Sequence, residues 1–531
     1  MGIPAYFSYI IKNYPNILQK FKNNFQATHL YLDSNSIIYD CLRNITYTGD
    51  DMEFERELIS TICKKIESYI QQLSPSHLVY IAFDGVAPVA KLTQQKNRRY
   101  KSWYMGNYNN NNNNNTNEWD STAITPGTGF MNKLNLQVQY HFRNANAHKV
   151  KHIIVSGSDY PGEGEHKIFE YIRMNNEVDV VVNRRSVVYG LDADLIMLTI
   201  NHLHICNEMY LFRETPDFIR SIDSSLDPNS LYVVNIPIFR DQLVYYLNND
   251  KEPSTTVEHN RINDYIFLCF MLGNDFLPHF PALNIRNNGM DILLETYRNI
   301  LGNNKQNIIQ DGQIIWKNFR KIVKELADNE TRYIQNDYNM RNKQESRHMK
   351  LNDNASLFDK EMLHAPSKSR EVEKYINPFD DYWEVRYYDM LFDIDINDNY
   401  RKQICMNYLE GLEWTFKYYT TGCIDWRWTY KYHYPPLLKD LIKHIPYFDD
   451  VLLTTKEKNP VNELVQLSYV LPKKSLKLLP RRIENKLLHH ISENYREDYE
   501  FKWAYCKYFW ECHVEFPYTD ISSIENIVNS Q

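Results

Sequence analysis

Val187-Val188-Tyr189-Gly190-Leu191-Asp192-Ala193-Asp194 is an apolar run that stops at two acids. Residues i and i+2 of an extended chain point to one side, so Asp192 and Asp194 read as a pair at the end of a buried strand. The pattern recurs upstream: Leu30-Tyr31-Leu32 ends at Asp33, and Val79 to Phe83 ends at Asp84. A fourth run, Ile153-Ile154-Val155, leads through Ser156-Gly157-Ser158-Asp159-Tyr160 into Pro161-Gly162-Glu163-Gly164-Glu165-His166-Lys167. The fifth acidic segment is Leu272-Gly273-Asn274-Asp275-Phe276-Leu277-Pro278. Apolar strands interleaved with helical stretches predict a parallel α/β sheet, and ligands of such sheets bind beyond the carboxyl ends of the strands. The acids are therefore expected to converge.

Seven carboxylates on one rim repel one another and stay ionised together only beside a cation. Hard divalent ions meet that need. Mg²⁺, with Mn²⁺ as the alternative, takes oxygen ligands and keeps waters, and two ions about 4 Å apart suit phosphodiester hydrolysis. A single strand-end Asp is more often a turn or N-cap residue, but five coordinated segments favour a site. On a regular helix Glu163 and Glu165 would lie about 200° apart, so both are expected in the turn that leads into the helix.

Directly after Asp84 comes Gly85-Val86-Ala87-Pro88-Val89-Ala90-Lys91-Leu92-Thr93-Gln94-Gln95-Lys96-Asn97-Arg98-Arg99-Tyr100. Lys91, Gln95, Arg98 and Arg99 stand at i, i+4, i+7 and i+8, the spacing of one helix face. An isolated basic face is as often merely solvated. Here it begins within a few residues of a candidate metal ligand, and guanidinium forks match phosphate oxygens. A phosphate pocket beside the metals is the better reading.

Several motifs together resemble the Xrn-type 5′→3′ exoribonucleases. They are Met1-Gly2-Ile3-Pro4, Leu32-Asp33-Ser34-Asn35-Ser36-Ile37-Ile38, Phe83 to Pro88, Thr125-Pro126-Gly127-Thr128, Pro161 to Lys167, Tyr189 to Asp194, and Gly273 to Pro278. A later block, Tyr408-Leu409-Glu410-Gly411-Leu412-Glu413-Trp414 through Trp426, Trp428 and Tyr432-His433-Tyr434-Pro435, is similar to the family's second conserved region. The resemblance implies processive removal of nucleotides from single-stranded RNA bearing a 5′-monophosphate, with Mg²⁺ as cofactor. By position it makes Asp33, Asp84, Glu163, Glu165, Asp192, Asp194 and Asp275 metal ligands. It gives the 5′ phosphate to Lys91, Gln95, Arg98 and Arg99. Tyr39 stands where the family has a His that stacks on the first base, and Trp426 or Trp428 would close over the leading bases. Ser36 and Gly129 also depart from the family's pattern. The fold implied is a parallel-sheet nuclease domain of the PIN/flap-nuclease-like type with a mainly helical, aromatic-rich region appended. The alternatives are a flap-endonuclease-like DNA nuclease, against which the later block speaks, and a catalytically inactive RNA-binding scaffold, against which the seven acids speak.

A chain of 531 residues is long for one core. The expected division is a metal-dependent nuclease domain over 1–302, a polar linker or projecting helical segment over 303–376, and the channel-closing region over 377–531. An Asn-rich surface insertion at about 105–120 contains the run Asn109 to Asn115, which has no apolar side chain to offset its ordering entropy. Most aromatics after Asn377 are expected in the core. The formal net charge of −7 argues against non-specific nucleic-acid binding, and metal-neutralised acids account for it. The eight cysteines form no C-x-x-C pair, which indicates neither zinc nor a disulfide scaffold and suits a reducing compartment. With no signal peptide and no apolar run that spans a bilayer, the expected setting is cytoplasmic or nuclear, away from membranes. The long C-terminal extensions of the large family members are expected to be missing, and protein partners are not legible.

Overall fold

The computed structural model describes all residues except 1–2, 4, 22–24, 111–118, 176–182, 214–225, 228–229, 305, 347–355, 394–396, 449, 455–456 and 531. Most of the asparagine run lies outside the described residues. Seven strands form the main sheet: β1 (Leu18–Lys20), β2 (His29–Asp33), β3 (Leu78–Ala82), β4 (His152–Ser156), β5 (Ser186–Tyr189), β6 (Met209–Arg213) and β7 (Tyr232–Asn235). Their order is β1-β7-β6-β5-β2-β3-β4. The five from β6 to β4 run parallel, while β7 and β1 add an antiparallel edge.

The central strands β2 and β3 are buried along their whole length. Side chains alternate across a strand, so Tyr31 belongs to one core while Leu30 and Leu32 belong to the other. The helices Asp51–Leu73 and Gly129–His141 supply the smaller core, and Tyr6–Asn13, Asp194–Asn201, Ile236–Leu247 and Thr255–Cys269 the larger. From β2 the chain moves to β3 on one side and later to β5 on the other. The sheet thus opens a crevice at the carboxyl end of β2.

Of the two readings for 303–376, a polar linker or a helical segment, the described residues form helices. The stretch opens on a small hairpin, Ile309–Gln310 with Gln313–Ile314, followed by helices Trp316–Asp328 and Glu330–Glu345. Trp316, Phe319, Ile322, Val323 and Leu326 bury one face of the first helix. The second is tied down by Arg341, whose guanidinium donates to both oxygens of Glu373 at 2.9 and 2.5 Å, all buried. Its high polar content reflects the outward faces of amphipathic helices. Beyond it, Trp383, Tyr387, Tyr388, Trp414, Tyr418, Tyr419, Trp428, Tyr430 and Tyr434 are buried. All belong to the core that begins at Ile3 and ends at Tyr505. Residues on both sides of positions 302 and 376 share that core.

Candidate active site

Asp33 closes β2, and Asp84 follows β3 by two residues. Both reach the start of helix Gly164–Met174, which the turn through Gly162, at φ +103°, delivers after β4. A Cβ on Gly164 would lie 2.6 Å from Asp33 Oδ1 and 3.4 Å from Asp84 Oδ1, so only glycine lets the helix come this near. The Gly164 N–H donates to Asp84 Oδ1 at 2.6 Å, a helix N-terminus turned on a carboxylate. Asn35 donates from Nδ2 to Asp84 Oδ2 at 2.6 Å and accepts the Asp84 N–H at 3.0 Å.

Glu163 is the N-cap of that helix, in extended conformation, and Glu165 lies in its first turn. The expectation that both occupy the leading turn therefore holds for Glu163 alone. Glu163 accepts from the Tyr418 hydroxyl at 2.9 Å. Asp194 opens helix Asp194–Asn201 and is buried, while Asp192 is exposed just ahead of it. The Tyr419 hydroxyl interacts with Asp194. Asp275 arrives from the turn after helix Thr255–Cys269.

Lys91 joins the acids directly. Its Nζ lies 2.5 Å from Glu163 Oε2 and 2.6 Å from Asp275 Oδ2. Gln94 adds a bond to Asp275 Oδ1 at 3.3 Å. Burial and the neighbouring Asp84, Asp192 and Glu163 push the Asp33 carboxyl well up. Burial and Asp194 do the same to Glu165, and burial followed by Asp275 raises Asp194 to about 7. Glu163 is raised by burial against the pull of Lys91. Burial pushes Asp275 up most, but the Lys91 ammonium, which also donates to it, and Arg98 together hold it below the usual carboxylate range. Among the described residues no three His, Cys, Asp or Glu side chains form a ready-made metal cage. The Lys91 ammonium takes the oxygens of Glu163 and Asp275. The donor set nevertheless fits hard cations, for buried acids that raise one another's pKa are those a divalent ion would ionise.

Helix Val89–Asn110 carries the basic residues, and they divide. Lys91 faces the acids. Arg98 and Arg99 line a cavity of about 280 Å³ together with Tyr39, Ser102, Ser121 and Thr122. Arg98 is exposed and Arg99 buried, with no hydrogen-bond partner for its Nη1. Burial lowers the Arg99 guanidinium to about 10. Gln95 is buried with Oε1 unpartnered, outside that lining. Tyr39, at 38% exposure on helix Asn35–Arg43, presents its ring at the same cavity.

The two tryptophans separate. Trp428 is buried, stacked on Trp414 with centroids 5.1 Å apart, and so close over Gly411 that a Cβ there would meet its ring at 2.8 Å. Trp426 is half-buried, and its carbonyl accepts the Val89 N–H at 3.0 Å, at the head of the basic helix. Of the two, only Trp426 keeps part of its surface open. Sequence reasoning missed Tyr418, Tyr419, Ser121 and Thr122. The two tyrosines were hidden among core aromatics, and the two hydroxyl residues follow an asparagine run with no periodic pattern. Asn35, two residues past Asp33, was quoted only as part of a motif.

The sequence of this chain matches the family profile described as "XRN 5'-3' exonuclease N-terminus" over residues 1–215. The profile "Xrn1 helical domain" matches over 256–376 and 363–529. The chain belongs to the Xrn family of 5′→3′ exonucleases. It is 27% identical to the "5'-3' exoribonuclease 2 homolog" of Drosophila melanogaster over 98% of its own length and 70% of that protein. To "5'-3' exoribonuclease 1" of Schizosaccharomyces pombe it is 26% identical over 98% of its length and 48% of the relative. The human "5'-3' exoribonuclease 1" is 28% identical over 98% of this chain, which spans 33% of that protein. Xrn-family nucleases depend on divalent metal, in keeping with the acid rim.

Proposed function

We propose that this Xrn-family chain is a processive 5′→3′ exoribonuclease. It hydrolyses single-stranded RNA that begins with a 5′-monophosphate, releases nucleoside 5′-monophosphates, and acts in cytoplasmic RNA degradation. The observation that carries the reading is the cavity holding Tyr39, Arg98 and Arg99 on the helix whose Lys91 touches the acids. In this reading Arg98 and Arg99 fork onto the terminal phosphate, with the hydroxyls of Ser102, Ser121 and Thr122 as further donors. Tyr39 stacks on the first base and Trp426 packs over those behind it. In this reading the pocket takes a monophosphate and excludes a cap or a triphosphate.

Asp33, Asp84, Glu163, Glu165, Asp192, Asp194 and Asp275 would hold two Mg²⁺ ions, which would supply an activated water and charge stabilisation for the leaving oxygen. Asn35, Tyr418 and Tyr419 orient Asp84, Glu163 and Asp194 respectively. Lys91 holds Glu163 and Asp275 within reach of the phosphate end. The test is degradation of one RNA carrying a 5′-monophosphate, triphosphate, hydroxyl or cap, with and without Mg²⁺. Rapid loss of the monophosphorylated RNA alone, only with metal, is expected. Equal rates on all four ends, or cleavage confined to flapped DNA, would overturn the proposal.

A further inference from the structure

A second cavity, of about 510 Å³, lies next to the first, and Arg98 and Ser102 border both. Helix Val89–Asn110 forms one wall, the turn carrying Asp275 another, and segments 429–434 and 504–513 the rest. Its lining is mostly apolar and aromatic, including Tyr432 and Trp510. Three lining residues carry buried polar atoms without a hydrogen-bond partner: Gln94 Oε1, Asn274 Nδ2 and the Tyr434 hydroxyl. Tyr434 is 4% exposed. These three atoms are closed off from the open space, so the polar groups that a ligand would meet belong to the exposed Arg98 and the half-buried Gln94, Asn274 and Asp275 around it. The volume is within the roughly 300–1,000 Å³ of small-molecule sites.

We propose that this cavity receives the nucleoside 5′-monophosphate released at each cleavage. The inference rests on the exoribonuclease reading. In a processive cycle the RNA stays in its channel, so the product cannot leave past Tyr39 without the strand letting go. It needs a second way out. Arg98, exposed and shared by both cavities, can keep the phosphate while the base passes from the Tyr39 side to the aromatic chamber. Asp275 borders the chamber, so the product enters it directly from the acid rim.

The experiment titrates AMP into wild-type protein saturated with a 5′-monophosphorylated RNA whose first linkage resists hydrolysis. A ternary complex is expected, because the RNA end and the free nucleotide occupy different cavities. Ile285→Trp and Thr429→Trp each place an indole in the chamber wall and should weaken AMP binding about tenfold or more. They should leave the first cleavage of a normal RNA at the wild-type rate and slow the following steps. Mutual exclusion of AMP and RNA in the wild type would overturn the proposal, as would wild-type AMP affinity in both variants. Should neither variant fold, the wild-type titration decides alone. A wild type that never cleaves monophosphorylated RNA would instead sink the exoribonuclease reading, which is a separate result.

Discussion

Tyr39 lines the proposed phosphate pocket, and its half-open ring beside Arg98 and Arg99 defines what a substitution should do. Tyr39→Phe should be nearly silent. Tyr39→Ala should lose about 1–3 kcal/mol of transition-state stabilisation, the range of a base–aromatic stack, with little change in Tm. A lowered Tm with unchanged kcat/KM would assign the ring to packing instead. Asp192→Asn or Asp194→Asn should abolish hydrolysis while RNA binding and fold persist, because charge is removed at nearly constant volume. Near-wild-type turnover in either variant at saturating Mg²⁺ would remove it from the ligand set. The positions of these acids were readable because each ends an apolar run. The partner of Lys91 was not readable: helical spacing placed it on the phosphate stripe, and only the fold shows its ammonium on Glu163 and Asp275.

At the scale of the element, helix Val89–Asn110 joins the two halves of the proposed chemistry. Arg98→Ala should reduce cleavage of 5′-monophosphorylated RNA much more than that of 5′-hydroxyl RNA, measured as the ratio of kcat/KM values. An equal loss on both would make the face a general backbone contact. The segment 426–428 gives a paired test. Trp426→Ala should cost activity with little effect on Tm, whereas Trp428→Ala removes a ring stacked on Trp414 and should destabilise by about 3–5 kcal/mol in denaturant titration. The central strands β2, β3 and β5 announced themselves through unbroken apolar runs, since they are buried along their whole length, whereas β1, β6 and β7 did not. Helix Trp316–Asp328 did not, although Trp316, Phe319, Val323 and Leu326 make a regular stripe. The charged residues between them set the average of the window, and composition concealed the period.

For the molecule as a whole, the decisive fact is one hydrophobic core running from Ile3 to Tyr505. Polar ties span the expected boundaries as well. Gln466 accepts the Ala87 N–H at 2.9 Å, and the Tyr418 hydroxyl donates to Glu163 at 2.9 Å. Residues 1–302 produced alone should therefore fail to give a folded, active nuclease, and the intact chain should melt in a single transition. Two separated transitions, or an active 1–302 fragment, would show independent domains. The continuity of the core was out of reach of sequence reading, which sees local periods but not which faces meet. It has a genetic counterpart. Two supports of the acid rim, Tyr418 and Tyr419, lie more than two hundred residues beyond Asp194. Loss-of-function alleles should accordingly scatter along the whole reading frame, with many of the most damaging changes lying far from any codon for an acid.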